Sequence, residues 1–414
     1  LSLAECAAVL GDAAEWERAT LSREVLVVPV RDGADPHALV QRLGGTVKIA
    51  EVWRTIELKN GERKNGEQRA LPDDVDAAIG AFILDRTTAD RKVHFGFSVH
   101  DAGGGMARTR DVHDALRRGA ATQKAWLTEH GRKVRWVTSR ESTLSSVVVA
   151  KNDLLPERNG VEVLALVAAD RVLLARTLAV QPFEEWGTRD YGRPGRDARA
   201  GMLPPKLARM MVNIGISNLE SRISKSVLLD PFCGSGTVLT EAMALGIPRI
   251  IGTDASADAA RDATANVAWL GERIRTRHEV IITQCDVRKL SSCVRERVAA
   301  IVTEPLLGPM DARGLHDLDR VVTELRSLYT AAFVQFARVL APRGRVVFIA
   351  PSFQIGNRSR AVDIDADAER SGFRRVSPFP LAMRDHPVLR DAADLPYARA
   401  DQRVGRRVLL FERE

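Results

Sequence analysis

The sequence of 414 residues is sparing with cysteine. Cys6, Cys233, Cys285 and Cys293 form no Cys-x-x-Cys pair and have no nearby His at a spacing that suits zinc. This argues against a zinc-built or disulfide-built scaffold and suggests a reduced, cytoplasmic protein. No apolar run approaches the ~20 residues of a membrane span, and no charged stretch followed by an apolar core and a small-residue cleavage site opens the chain. A membrane partner is not expected. The chain begins at Leu1 rather than Met, which suggests that an initial segment precedes it. Also lacking are the Gly-Lys-Ser/Thr of a P-loop and the third glycine of the dinucleotide fingerprint, so phosphate cradling is poorly supported.

Hydrophobic residues make up 45% of the chain, enough for proper cores, and the length implies two or three domains. The formal charge is +7, and residues 91–140 alone carry a surplus of 7, with 11 Lys/Arg against 4 Asp/Glu. Arg108, Arg110, Arg117, Arg118, Lys124, Arg132, Lys133 and Arg135 lie in this stretch and could neutralise phosphates. A solvated face is the alternative reading.

Periodicity divides the chain. In the first part we expect a helix from Leu3, a strand over Glu24–Val30, a helix over Pro36–Leu43, a strand over Lys92–Val99 and a helix over Asp111–His130. Strands at Arg135–Thr138, Ser145–Val149 and Val161–Ala168 follow. The Pro/Gly-rich stretch 181–205 reads as a linker whose Arg189, Arg193, Arg196 and Arg199 could meet a partner. Pro205 then opens a helix through Leu207, Met210, Met211 and Ile214. From Ser226 onward strands and helices alternate: strands at Val227–Leu229, Arg249–Gly252, Glu279–Thr283, Ala299–Thr303 and Arg345–Ala350, with helices over Thr237–Leu245, Ala259–Trp269 and Leu318–Leu340 between them. This order implies a doubly wound parallel sheet. Tail strands are expected near Arg374–Val376 and Arg407–Phe411.

The chemistry gathers at the strand ends. Asp230 closes an apolar strand and leads into Pro231, Phe232, Cys233, Gly234, Ser235 and Gly236, after which Thr237 opens a helix. The two glycines allow tight backbone approach at a strand's carboxyl end, where α/β sheets bind ligands. Asp254, at the next strand end and followed by Ala255, is placed to accept from two ribose hydroxyls. Asp286, followed by Val287 after the third strand, is placed to accept from an adenine amino group. Three acids at successive strand ends with a glycine loop among them fit a nucleoside cofactor without phosphates. Cys233 reads as a small buried filler rather than a nucleophile, since no His lies close in sequence.

The segments Asp230-Pro-Phe-Cys-Gly-Ser-Gly-Thr237, Leu203-Pro-Pro-Lys-Leu-Ala-Arg-Met210, Arg189-Asp-Tyr-Gly-Arg-Pro194 and Leu144-Ser-Ser-Val147 with Lys151-Asn152 resemble the THUMP-domain tRNA guanine-N2 methyltransferases that act at tRNA position ten. Leu1-Ser-Leu-Ala-Glu5 and Phe95-Gly-Phe-Ser98 extend the resemblance over nearly the whole chain. It implies an α/β protein: a ferredoxin-like and THUMP-like α+β tRNA-binding region over 1–180, a linker over 181–205, and a Rossmann-like class I methyltransferase domain over 206–414. S-adenosylmethionine would be the cofactor and tRNA the partner, with a small activator subunit, as in eukaryotic relatives, a further candidate. The resemblance also implies that a strand normally precedes Leu1.

The departure lies in the catalytic loop. Relatives carry Asp/Asn-Pro-Pro-aromatic after the fourth strand; this chain has Thr303, Glu304, Pro305, Leu306 and Leu307. In the family the acid and a Pro carbonyl accept the N–H bonds of a weakly nucleophilic amine, and the aromatic stacks on the flipped base. By resemblance Glu304 takes the acid's place and Leu307 offers only an apolar surface to the base. Two other readings stand beside N2-guanine methylation: a tRNA-binding protein that keeps the fold with weakened catalysis, and a DNA amino-methyltransferase.

Overall fold

In a computed structural model the structure describes residues 1–31, 33–58, 63–64, 67–68, 70–72, 74–195, 202–217, 226–274, 277–308, 315–355, 358–389, 394–398 and 404–414. Arg196 and Arg199 lie outside the described residues. Two compact units emerge: Asp12–Arg42 with Thr46–Phe183, and Leu1–Gly11 with Leu43–Gly45 and Glu184–Glu414. The opening helix α1 (Ser2–Leu10) therefore belongs with the second unit and not with the N-terminal region where the sequence placed it.

The first unit contains β1 (Thr20–Leu21), β2 (Leu26–Val27), α2 (Pro36–Arg42), β3 (Lys48–Glu57), β4 (Arg63–Lys64), β5 (Glu67–Gln68), α3 (Val75–Asp85), β6 (Val93–Asp101), α4 (Met106–Glu129), β7 (Val134–Val137), α5 (Ser146–Lys151), β8 (Gly160–Val167) and β9 (Arg171–Val180). Its main sheet runs β3-β9-β8-β6-β7, with β6 parallel to both β7 and β8 and the other neighbours antiparallel. Central β8 is buried along its whole length, as a strand covered on both faces must be. Phe95, Val161, Val163, Ile79, Ile83 and Leu116 form the core beneath α3 and α4. Glu162 is buried in that strand and accepts from Ser98 Oγ (2.5 Å) and Thr177 Oγ1 (2.6 Å), and it pairs with Lys48. Ser145–Val149, expected as a strand because of its run of valines, leads into α5 instead. The Ser145 side chain caps that helix by accepting from Val148 N at 3.2 Å.

The second unit continues with α6 (Phe183–Tyr191), α7 (Pro205–Ile216), β10 (Val227–Asp230), α8 (Thr237–Ala244), β11 (Arg249–Asp254), α9 (Ala257–Gly271), β12 (Glu279–Gln284), α10 (Leu290–Cys293), β13 (Val298–Thr303), α11 (Leu315–Val339), β14 (Leu340–Ile355), β15 (Arg358–Ala361), α12 (Asp365–Arg370), β16 (Phe373–Arg375), β17 (Leu395–Tyr397) and β18 (Val404–Arg413). The order β12-β11-β10-β13-β14 is parallel; β18 joins β14 antiparallel, and β16 in turn pairs antiparallel with β18. The expected parallel sheet is thus the core of a mixed one. Helix α6 occupies part of the stretch read as a linker, because Trp186 is buried under Arg189 and Arg209.

Glu5 fixes α1 to this unit. Fully buried, it accepts from the backbone N–H of Gly44 (2.7 Å) and Gly45 (2.8 Å) and from Asn213 Nδ2 (2.7 Å). The sheet's other anchor is Phe333 on α11, whose ring lies 5.1–5.4 Å from those of Phe336, Phe348, Phe373 and Phe411. Phe333→Ala removes the centre of this cluster and should destabilise the unit by about 3–5 kcal/mol. Denaturant unfolding of the full chain measures it; a change confined to the range of surface substitutions would contradict the packing described.

Candidate functional site

The strand order reverses between β10 and β13, and at such a switch point the carboxyl ends of neighbouring strands leave a crevice. Asp230 ends β10 and Thr303 ends β13. The Thr303 hydroxyl donates to Asp230 Oδ1 at 2.6 Å, and Phe232 N donates to the same oxygen at 3.2 Å. Asp230 is 2% exposed, so it braces the two loops from within. Both of these bonds use Oδ1.

Gly234 and Gly236 adopt φ of 50° and 83°, in the left-handed region that a β-carbon disfavours. At Gly236 a β-carbon would also come within 3.1 Å of Ala263 in α9. Cys233 N donates to Thr253 O (2.9 Å), which ties the loop to β11, and the Cys233 thiol is buried, with burial pushing its pKa up. An unreactive filler is the role that follows. The Asp254 carboxylate accepts from Gly234 N through one oxygen and from Ser256 N through the other, both at 2.9 Å. It is half-buried, next to an exposed Ala255, and each oxygen keeps a lone pair for a diol. Asp286 caps a short turn, accepting from Arg288 N at 2.9 Å and pairing with the Arg288 side chain at 3.1 Å. Val287, expected among the cofactor-binding residues, is 3% exposed and packs into the core. The Thr237 hydroxyl is occupied as well, accepting from Arg193 at 2.6 Å.

After β13 comes the loop of Glu304 to Leu307. Pro305 is buried. Leu307 is only 9% exposed and belongs to the core, whereas Leu306 is 62% exposed. Of the two leucines it is thus Leu306, and not Leu307, that presents an apolar surface to solvent. Tyr329 Oη donates to the Leu306 carbonyl at 2.6 Å and holds the loop from α11. Glu304 is engaged by Arg406 of β18, with Nε to Oε1 at 2.5 Å and Nη2 to Oε2 at 3.4 Å. Nothing in the sequence pattern pointed to Arg406, because the contact spans 102 residues. A solvent-open groove of about 710 Å³ runs beside this loop, lined by residues that include Leu306, Gly308, Arg288, Val321, Leu325 and Leu328; Asp230, Asp254, Asp286 and Glu304 are not among its lining residues.

The basic residues separate into two groups. Arg110, Arg117 and Lys124 recur at intervals of seven along α4, so they share one face of the helix; they are exposed, as are Arg118, Lys133 and Arg135. Arg108 instead donates to the Ala169 carbonyl, and Arg132 donates to the carbonyls of Leu84 (3.1 Å) and Thr87 (2.9 Å). Arg189 and Arg193, expected to meet RNA, turn inward: Arg189 Nε donates to buried Glu241 at 2.9 Å, and Arg193 is 5% exposed. Cys285 and Cys293, expected to be reduced thiols, form a disulfide across the turn that follows β12. Chain folding over Asp286–Lys289 brings them together despite their separation in sequence. Among the described residues no cluster of His, Cys, Asp or Glu could hold a metal ion, and no helix is long and apolar enough to cross a membrane.

Strand order, glycine loop and paired strand-end loops define a Rossmann-like domain, and residues 193–355 match the UPF0020 family, described as RMKL-like, methyltransferase domain. The chain is 38% identical over 140 residues to a tRNA (guanine(10)-N2)-dimethyltransferase of Methanothermobacter thermautotrophicus, covering 34% of this chain and 37% of that protein. It is 30% identical over 185 residues to the protein of the same name from Pyrococcus abyssi, covering 43% and 45%. The matches thus span less than half the length of these relatives. The crystal structure of TrmN from Thermus thermophilus shares the fold over 100% of this chain and 95% of its own, with TM-score 0.50 and 18% identity.

Burial lifts the Asp230 carboxyl to about 7, although the hydrogen bonds from Thr303 and Phe232 act to lower it. Its pKa is raised on folding, so its contribution to stability is complete below the ordinary aspartate range and is lost as pH rises through about 7. Asp230→Asn should therefore remove part of the fall in thermal stability between about pH 4 and 7. Melting curves across this range read the effect; identical pH slopes in both proteins would contradict it.

Proposed function

We propose that the chain transfers methyl groups from S-adenosylmethionine to the exocyclic N2 of a tRNA guanosine at position ten. The observation that carries this reading is the Asp230–Thr303 hydrogen bond, which brings a nucleoside-type loop and an acid-Pro loop to the same switch point. The two relatives, both tRNA (guanine(10)-N2)-dimethyltransferases, supply the substrate class.

The residues present fit the cofactor: Asp254 for the ribose hydroxyls, Asp286 for the adenine amine, and the backbone of Gly234 to Gly236 for the remainder. When bound, it supplies an electrophilic methyl on a sulfonium. Glu304 and the Pro305 carbonyl accept the two N–H bonds of the amine, which would otherwise lose nucleophilicity to the purine ring. Ionised Glu304 would stabilise the positive charge that develops on the nitrogen as it takes up the methyl group, and its carboxylate would accept the proton the nitrogen then gives up. Leu306 provides an apolar face for the flipped base. The first unit holds the tRNA, with the Arg110, Arg117 and Lys124 face contacting phosphate.

A second reading, tRNA binding without turnover, draws on the pairing of Glu304 with Arg406, which occupies part of the acid's capacity. A cytoplasmic location follows from either reading.

The test is labelled methyl transfer to an unmodified tRNA transcript and to one whose position-ten guanosine is replaced by adenosine. Label on the first transcript alone is expected. Label on both would move the site, and no label on either, with cofactor and tRNA each bound, would favour the second reading.

A further inference from the structure

The loop acid here is one methylene longer than the Asp/Asn of the pattern it resembles, and in-line transfer tolerates little displacement. A longer acid left alone has an extra torsion to fix. In this structure that freedom is removed from the far side: the Arg406 guanidinium, 2% exposed, grips Glu304, whose side chain is 12% exposed. Arg406 sits on β18 opposite Pro351 of β14, the strand that runs beside β13. The sheet itself therefore sets where the guanidinium lies.

We propose that Arg406 is a positioning residue for the transfer: it fixes the longer Glu304 side chain and holds it as an anion, leaving its other lone pairs to the incoming amine. The proposal rests on the methyltransferase reading above. A carboxylate offers about four lone-pair sites, and the fork of Arg406 takes one on each oxygen. Arg406 thereby compensates for the longer side chain, because the pair occupies a set position that a lone Glu would not keep. A lysine could retain the charge but not the two-point grip.

Among the described residues, the charged and titratable groups around Glu304 come from three elements. Arg406 faces it from β18, and Asp230 from the end of β10 and Tyr329 from α11 lie close enough to be affected by its charge. Burial raises the Glu304 pKa, and the hydrogen bond and charge of Arg406 lower it. Removing the guanidinium leaves burial unopposed, so ionisation moves to higher pH.

The experiment is the pH profile of single-turnover methyl transfer by the full chain and by R406Q and R406K, with S-adenosylhomocysteine binding measured alongside. For R406Q the acid limb should rise by about 1–3 pH units and the rate at neutral pH should fall by about 100-fold, with cofactor affinity unchanged. R406K should keep the limb of the unaltered chain at a lower plateau rate. An R406Q limb and rate equal to those of the unaltered chain would overturn the proposal. If R406Q fails to bind cofactor, R406K decides: a lower plateau supports the proposal and an unchanged plateau overturns it. Absence of transfer by the unaltered chain would instead overturn the functional reading, and this proposal with it.

Discussion

The hydrogen bond from Thr303 to Asp230 joins the ends of two strands that the topology places side by side at the point of reversal. The carboxyl is buried and is not solvated, so its partners decide where both loops begin. Through Phe232 N it fixes the start of the glycine loop, and through Thr303 the residue immediately before Glu304. The cofactor-type loop and the acid loop therefore cannot shift independently, and a reaction that needs an electrophile and a nucleophile held at close range depends on that coupling.

Outside this hinge the loops are held by groups whose partners are distant in sequence. Asp254 grips the glycine loop across 20 residues, Tyr329 grips the Leu306 carbonyl across 23, and Arg406 grips Glu304 across 102. Each restraint starts from an element anchored in the core built around Phe333, Phe348 and Phe411. The network explains how a chain with Glu-Pro-Leu-Leu at this place can keep an acid in a defined position. The position is supported from the sheet behind it, and not by the loop's own sequence.

Much of the second unit was legible because its signals are local. The apolar strand ending in Asp230, Gly234 and Gly236 at a tight turn, and Pro205 at the start of α7 all act within a few residues. The misreadings share the opposite cause. Val147, Val148 and Val149 suggest a strand by residue type, yet the hydroxyl of Ser145 caps the segment and it becomes α5. Arg189 and Arg193 look like surface cations until Glu241 and Thr237 are folded against them. Which of Leu306 and Leu307 faces outward depends on how α11 meets the loop, and the Cys285–Cys293 pair depends on the turn between them. Sequence pattern gives residue types at strand ends but not the direction in which each side chain points.

The proposed activity requires that the switch-point crevice hold a nucleoside cofactor through Asp254 while nucleic acid is held elsewhere. Calorimetric titration of S-adenosylmethionine into the full chain and into Asp254→Ala, with tRNA binding measured in parallel, tests it most directly. Cofactor binding by the unaltered chain is expected, with a loss of about 10–100-fold in the variant from the missing charged hydrogen bonds and nearly unchanged tRNA affinity. Equal losses for both ligands, or cofactor binding that ignores the substitution, would contradict it.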